Sequence, residues 1–142
     1  MKKPVHIRPF QIPDDYGSVV ELWDHSGSGV HRGRSDTLEE IAKKQGRDPD
    51  LFLVAEHRGK IVGAVMGGYD GRRALVYHLA VNEDHHQQGI GKALMETLEE
   101  LLREKGCLRS YLLITKDNPA IEFYEKQSWQ LLDLFVLGKD LQ

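Results

Sequence analysis

The chain has 142 residues, of which 40% are hydrophobic, 29% charged and 8% aromatic, and this length suits one compact domain over residues 1–142. Its formal net charge of −3 argues against a nucleic-acid binder or an anionic-membrane binder, because such proteins carry an excess of Lys and Arg. The longest uncharged run, Ile61 to Tyr69, is shorter than the roughly 20 residues that span a bilayer, and the single Cys107 forms no internal disulfide, so we expect a cytoplasmic protein.

The first third of the chain is predicted to form a strand and two helices. Alternating residues predict a strand around Val5 to Pro9, and an apolar stripe from Tyr16 to Trp23 predicts a helix that Gly27 would end. A second helix is predicted from Asp36, as the first residue of a capping box, to Gly46.

Residues 51–82 change to strand periodicity and predict three consecutive strands. Two short turns, Arg58-Gly59 and Asp70-Gly71, separate these strands. Strands joined by such turns form an antiparallel meander. The predicted bounds are Leu51 to His57, Lys60 to Tyr69 and Ala74 to Asn82.

The rest of the chain is predicted to form helix, strand, helix and strand. A long helix runs from Gly89 to Gly106, and the strand from Leu108 to Thr115 should pair in parallel because a helical crossover precedes it. A short helix with Asn118 as its N-cap runs to about Lys126, and a last strand covers Trp129 to Leu137. The order β-α-α-β-β-β-α-β-α-β predicts an α/β fold with a mixed, mostly antiparallel central sheet and helices on both faces.

The most informative stretch is Leu79 to Ala93, where a strand runs through a loop into a helix that opens at Gly89. Unpaired amides and the positive end of the helix dipole favour anions at a helix start, and Gly89 and Gly91 leave that backbone open to a phosphate. The same glycines equally suit close packing of the helix on a strand. A P-loop and a dinucleotide fingerprint both fail, because residues 86, 93 and 94 are His, Ala and Leu.

Three segments, Leu79 to Asn82, Gln88 to Leu94 and Asn118 to Lys126, resemble the GNAT superfamily of N-acetyltransferases. The resemblance extends over about residues 5 to 138. It implies the GNAT acyl-CoA acyltransferase fold and acetyl-CoA as the acyl donor. We expect no metal, because the adjacent side chains of His85 and His86 diverge and no third ligand is evident in the sequence. Family members begin the phosphate loop with Arg or Gln, often followed by Gly, whereas this chain has His86 and Gln87.

The resemblance also implies which residues bind acetyl-CoA. Amides of Leu79 and Val81 would bind the pantetheine arm and polarise the thioester carbonyl where the fourth and fifth strands splay apart. Amides of the loop and helix start would hold the pyrophosphate, and Asn118 would contact the pantetheine or cap its helix. The expected set is Leu79, Ala80, Val81, His86, Gln87, Gln88, Gly89, Ile90, Gly91, Lys92, Ala93 and Asn118.

By the same resemblance, Tyr124 is the catalytic acid that protonates the departing CoA thiolate, although its spacing also suits an ordinary core residue. A base is needed as well, because an ammonium has no lone pair with which to attack. Neither the fourth nor the fifth predicted strand carries an acid. The candidates that stay open are His78, Tyr77, Asp70, Glu56 and water alone.

Three features bear on the acceptor side. Tyr77 and His78 are neighbours on a strand and should point to opposite faces, so that only one of them faces the cleft. The glycines of Gly67 to Gly71 form either a bulged strand and turn or an opening toward the substrate. Arg32 and Arg34 lie either in a solvated basic loop or opposite a carboxylate or phosphate of the acceptor.

The resemblance, together with these residues, predicts an N-acetyltransferase that moves the acetyl group of acetyl-CoA to a primary amine of a small molecule or peptide by direct attack in a ternary complex. The alternative is a non-catalytic acyl-CoA-binding or regulatory module of the same fold, which the missing acid favours and Tyr124 opposes. We expect no nucleic-acid or membrane partner. Exposed strands at a sheet edge would allow a homodimer.

Overall fold

The structure, a computed structural model, describes residues 4–26 and 30–142. Within these residues, five strands and four helices follow one another, with 3-10 turns at Arg34–Asp36 and Glu83–His85. The strands are β1 (His6–Pro9), β2 (Phe52–His57), β3 (Lys60–Tyr69), β4 (Ala74–Val81) and β5 (Ser110–Leu112). The helices are α1 (Tyr16–Asp24), α2 (Leu38–Arg47), α3 (Ile90–Glu104) and α4 (Ile121–Glu125).

The strands form one sheet in the order β1-β2-β3-β4-β5. The first four are antiparallel to their neighbours, whereas β5 is parallel to β4. This arrangement confirms the predicted meander, the parallel pairing after the helical crossover and the fold class.

Apolar side chains form a core on each face of the sheet. One core packs α3 and α4 on the sheet, and the other packs α1 and α2 on the opposite face. Gly67 sets the distance on the α3 side, since a Cβ built on it would lie 2.8 Å from Leu98 Cδ1 and 3.3 Å from the Leu51 carbonyl oxygen. Gly67 therefore serves close packing of α3, and the neighbouring Gly71, with φ of +98°, serves the turn.

Helix α2 begins two residues later than predicted. Thr37 is its N-cap and accepts a hydrogen bond from the Glu40 amide at 3.3 Å, so the capping box predicted at Asp36 is wrong. Gly46 lies inside the helix rather than at its end. Helix α1 ends at Asp24, and Gly27, which was predicted to end it, lies outside the described residues.

The last part of the chain departs most from prediction. The predicted strand over 108–115 shortens to β5, and Asn118 is not the N-cap of α4, because Ala120 takes that position while Asn118 Oδ1 accepts the Ala120 amide at 2.8 Å. Residues 129–142, all described, form no strand, so the strand predicted over 129–137 is wrong. Strand β5 spans only three residues, so it offers little edge for a further strand.

Strand β4 carries a bulge at His78. Between the pairs Met66–Tyr77 and Ala64–Ala80, β4 has two residues where β3 has one. His78 takes φ of +56°, and its ring lies 5.4 Å from that of Tyr77, on the α1 side of the sheet. The expectation that Tyr77 and His78 point to opposite faces is therefore wrong, because an extra residue in a strand interrupts the alternation of side chains.

Candidate functional site

The loop before α3 ends in a left-handed residue. Gln87 and Gly89 have φ of +61° and +80°, and Gly89 is the N-cap of α3 with no side-chain hydrogen bond to the helix. The first amides of an α-helix have no acceptor within the helix. Those of Ile90, Gly91 and Lys92 therefore form a cluster of donors at the positive end of the helix dipole, where the phosphate site was predicted.

Gly91 lies where three elements meet. A Cβ built on it would be 3.2 Å from Phe123 Cζ of α4 and 3.7 Å from Val81 Cγ2 of β4. Gly91 was predicted either to leave the backbone open to a phosphate or to allow close packing of the helix. The short distances to Phe123 and Val81 show the close packing. The same contact brings the end of β4, the start of α3 and the helix that carries Tyr124 to one place.

His86 connects the loop to the end of β4. Its Nε2 lies 2.8 Å from the Val81 carbonyl oxygen, so this nitrogen carries a hydrogen and donates it. Asn82 fixes the same loop by accepting the Asp84 amide at 2.9 Å. The residue that departs from the family pattern therefore anchors the loop, a role that sequence reasoning missed because it depends on a contact through space.

Strands β4 and β5 separate after a short pairing. The pairs run from Ala74–Ser110 to Val76–Leu112, and β4 then continues to Val81 with β3 alone beside it among the described residues. Leu79, Ala80 and Val81 thus lie on a stretch of β4 whose β5 side has no strand partner. This is the splayed geometry in which the pantetheine contacts were expected.

Tyr124 lies in the core on the α3 side, and only 4% of its surface is exposed. Its ring packs edge-on against Phe123 at 5.2 Å. Burial raises the pKa of Tyr124 to about 12, so the phenol keeps its proton at neutral pH. Tyr124 also lines a cavity of about 770 Å³ beneath residues 127–136, and none of the loop residues 86–93 line that cavity.

Asp70 and Glu56, two of the candidate bases, make structural contacts. Asp70 Oδ1 accepts the amides of Arg72 and Arg73, each at 2.8 Å, and so closes the turn between β3 and β4. These amides lower the pKa of Asp70. Glu56 Oε1 lies 2.6 Å from Arg8 Nη2. Both carboxylates thus serve the fold, Asp70 as a turn former and Glu56 as an ion-pair partner.

His78 and Asp36 form a hydrogen-bonded pair across the sheet face. His78 Nε2 lies 3.1 Å from both carboxylate oxygens of Asp36, and Asp36 Oδ2 also accepts the Gly33 amide at 3.0 Å. Burial would raise the pKa of Asp36, but the hydrogen bonds from His78 and Gly33 outweigh it and lower the pKa. Sequence reasoning missed this partner, because Asp36 was assigned to a helix cap and lies 42 positions away.

A cavity of about 430 Å³ opens beside this pair, between α2 and strands β3 and β4. Asp36, Met66 and Tyr77 line its inner part. Burial raises the pKa of Tyr77, and the negative charges of Asp36 and Asp48 raise it further. Tyr77 is therefore a neutral phenol at this cavity.

The two arginines predicted for the acceptor loop form surface ion pairs. Arg32 Nε lies 2.9 Å from Asp24 Oδ1, and Arg34 Nη2 lies 3.4 Å from Asp140 Oδ1. The described part of the chain has no group of three or more metal-ligating side chains. Within residues 4–26 and 30–142, no helix is long and apolar enough to cross a membrane.

Comparisons with known proteins identify the family of the chain. The family model of the Acetyltransferase (GNAT) family matches residues 17–129. An acetyltransferase of Pectobacterium atrosepticum is 43% identical to the chain over 138 residues, which are 96% of both proteins. An acetyltransferase of Yersinia pestis is 42% identical over 138 residues, again 96% of both.

Solved structures share the fold. Ard1 from Thermoplasma volcanium matches with a TM-score of 0.79 at 30% identity, covering 90% of this chain and 84% of that protein. The PaiA N-acetyltransferase from Thermoplasma acidophilum, crystallised in complex with coenzyme A, matches with a TM-score of 0.79 at 19% identity, covering 93% of each. With the family match over most of its length and close relatives along 96% of it, the chain belongs to the GNAT family of acetyltransferases.

Proposed function

We propose that the chain transfers the acetyl group of acetyl-CoA to a primary amine of a small molecule or peptide, with residues 1–142 acting as one domain. The observation that carries this proposal is the juxtaposition of the open side of β4 with the uncapped start of α3. An extended thioester arm fits the open side of β4, and a pyrophosphate fits the start of α3. Family membership supports the same reaction class.

In this proposal the amides from Gln88 to Lys92 hold the pyrophosphate, and the backbone of Leu79 to Val81 holds the pantetheine. His86 keeps the loop against β4 through the Val81 carbonyl oxygen. The proposed acetyl-CoA-binding residues are the ones that the resemblance predicts. They therefore also include Gln87, Ala93 and Asn118. The coenzyme A complex of the PaiA structure supports coenzyme A as the ligand of this fold.

The chemistry is direct aminolysis of a thioester. The neutral amine nitrogen attacks the carbonyl carbon, the Val81 amide stabilises the negative charge that develops on the carbonyl oxygen, and the carbon–sulfur bond breaks. The departing thiolate takes a proton from the Tyr124 hydroxyl. Because burial holds the pKa of Tyr124 at about 12, the proton stays on the phenol until the thiolate forms.

A panel of amines tests the proposal, with thiol release from acetyl-CoA as the readout. Tyr124→Phe should lower kcat by about 100-fold and leave KM for acetyl-CoA unchanged, because a general acid acts in the transition state. Tyr69→Phe is the matched control, since the Tyr69 hydroxyl donates to the Gly71 carbonyl oxygen at 3.0 Å and to no other group among the described residues. Acetyl-CoA binding without thiol release for any amine would instead establish the non-catalytic module.

A homodimer is part of the proposal. Leu131, Phe135 and Leu137 are 83%, 94% and 91% exposed. Exposed apolar surface of this kind favours self-association. Sedimentation of the purified chain at two concentrations measures the oligomeric state. A monomer at both concentrations would contradict the proposed homodimer.

A further inference from the structure

His78 has an unusual backbone for a strand residue. Its φ of +56° lies in the left-handed region, which residues other than glycine rarely adopt, although Asn, Asp and His do so more than others. Such conformations cluster at functional sites. Here the bulge turns His78 toward the face that Tyr77 occupies, beside the cavity between α2 and β4.

The contacts of His78 define which ring nitrogen is free. Nε2 lies 3.1 Å from both oxygens of Asp36, so this nitrogen carries the hydrogen that the carboxylate accepts. Nδ1 then carries the lone pair, and among the described residues it has no hydrogen-bond partner. The His78 side chain is 18% exposed, and its two neighbours Asp36 and Tyr77 line the cavity of about 430 Å³.

The groups that face His78 come from three elements. Trp23 of α1 packs edge-on at 5.1 Å, Tyr77 of β4 lies at 5.4 Å, and Asp36 comes from the 3-10 turn. Arg32 acts on Asp36 through its charge. Tyr77 is neutral, since burial raises its pKa, so it cannot accept a proton as His78 can.

We infer that His78, oriented by Asp36, is the base of the proposed reaction and takes a proton from the acceptor ammonium on Nδ1. The inference rests on the proposed acetyl transfer and adds the base that the sequence left open. Asp36 is a positioning residue, because its carboxylate fixes the tautomer and balances the charge of the imidazolium. Asp36 also accepts the Gly33 amide, so the base pair is anchored to the segment before α2.

His78, Tyr124 and solvent together balance the protons of the reaction. The ammonium gives one proton to His78 Nδ1, and the free amine forms the nitrogen–carbon bond. As the carbon–sulfur bond breaks, Tyr124 gives its proton to the thiolate and regains one from the nitrogen of the new amide, directly or through water. His78 releases its proton to solvent, so one proton leaves per amide formed.

Kinetics of His78→Asn test the inference. Asn tolerates a positive φ and keeps a donor for Asp36, but it accepts no proton at neutral pH. We expect kcat/KM to fall at least about 100-fold near neutral pH, and the rise of kcat/KM with pH that remains to follow the deprotonation of the free amine. The loss should shrink for a weakly basic fluorinated amine, which is already neutral, whereas a purely structural defect would affect all amines alike.

Asp36→Asn should lower kcat/KM by about 10-fold or more while KM for acetyl-CoA stays the same, because the base loses its fixed tautomer and its counter-charge. His6→Asn is the matched control, since His6 lies exposed on β1, at the opposite edge of the sheet from β5. The control should keep both rate and pH profile.

Nitrogen NMR of the wild-type imidazoles adds a readout that needs neither a folded variant nor turnover. The inference requires the tautomer with hydrogen on Nε2 of His78 at neutral pH, and hydrogen on Nδ1 would overturn it. Active wild type with unchanged kinetics in His78→Asn would overturn the base alone. Wild type that binds acetyl-CoA and acetylates no amine would overturn the proposed function and the base with it.

Discussion

Arg8 joins three elements through two carboxylates. Its Nη1 lies 2.6 Å from Asp15 Oδ2 before α1, and its Nη2 lies 2.6 Å from Glu56 Oε1 on β2. The hydrogen bond from Arg8 lowers the pKa of Asp15 despite its burial. A group whose pKa is lower in the folded state stabilises the fold above its unfolded pKa, about 4, and loses that contribution as the pH falls through the folded value.

Asp15→Asn should therefore lower the free energy of unfolding at pH 7 by about 1–3 kcal/mol, because it removes a charged partner from a part-buried network. The difference from wild type should start to shrink below about pH 4, where Asp15 becomes protonated in the unfolded chain, and should be lost as the pH falls through the lower pKa that Asp15 has in the folded protein. Urea unfolding at pH 7 and at acidic pH measures both effects.

Asp24→Asn is the matched control for Asp15→Asn. Asp24 pairs with Arg32 at 2.9 Å, but 44% of its side chain is exposed. Exposed pairs contribute about 0–1 kcal/mol, so this variant should unfold near the wild-type midpoint. Equal losses in the two variants would contradict the role given to burial.

His86 offers a second test at single-residue scale. His86→Ala removes the hydrogen bond to Val81 and should raise KM for acetyl-CoA about 5-fold with kcat unchanged, because one hydrogen bond contributes about 1 kcal/mol. His6→Ala should change neither constant. A fall in kcat with KM unchanged would show that His86 acts on the reaction rather than on the loop.

At the scale of elements, α3 lies on β3 because Gly67 has no side chain. Gly67→Ala should lower the free energy of unfolding by about 1–3 kcal/mol, since the new Cβ would stand 2.8 Å from Leu98 Cδ1. Urea unfolding measures this cost.

Gly46→Ala is the matched control within a helix. A Cβ at Gly46 meets nothing within 4 Å, and α2 is helical there, so alanine should stabilise the protein by up to about 1 kcal/mol. If both substitutions destabilised the protein equally, close packing at Gly67 would not be the cause.

The elements that sequence reasoning placed well are those with strong local signals. Strand β3 runs over Lys60–Tyr69 as predicted, because two turn dipeptides bound an apolar run. The bulge at His78 has no such signal, since it is the pairing with β3 that shows the extra residue. The prediction of a strand over 129–137 was wrong for a related reason. An apolar run forms a strand only where a neighbouring strand offers enough residues to pair with it.

In the candidate site, too, the features with a local sequence signal were predictable and those that depend on strand pairing were not. The glycine that opens α3 was predictable, because a left-handed N-cap favours glycine. The contacts of His86 with Val81 and of His78 with Asp36 join residues that only the folded sheet brings together. Side-chain partners of this kind depend on register and bulges, which local sequence does not encode.

At the scale of the whole molecule, the proposed site reconciles a net charge of −3 with a polyanionic ligand. Backbone amides at the start of α3 supply the donors, so the protein needs no excess of Lys and Arg. The sheet carries a core on each face and places the proposed cofactor residues at the end of β4. Binding at this junction should therefore stabilise the whole fold.

Acetyl-CoA at about 100 times its Kd should stabilise the folded chain by about 2.7 kcal/mol and raise Tm by several degrees. A thermal shift series in acetyl-CoA measures this, with His86→Ala giving a smaller shift at the same concentration. ATP is the comparison ligand. An equal shift with ATP would contradict a site built for the pantetheine arm.

The central claim is acetyl transfer from acetyl-CoA to an amine. The most direct measurement incubates the wild-type chain with saturating acetyl-CoA and a panel of primary amines, and follows thiol release and product mass together. We expect one acetylated amine for each thiol released, and a rate that Tyr124→Phe and His78→Asn each reduce by about 100-fold. A Tm raised by acetyl-CoA with neither thiol nor acetylated product for any amine would contradict it.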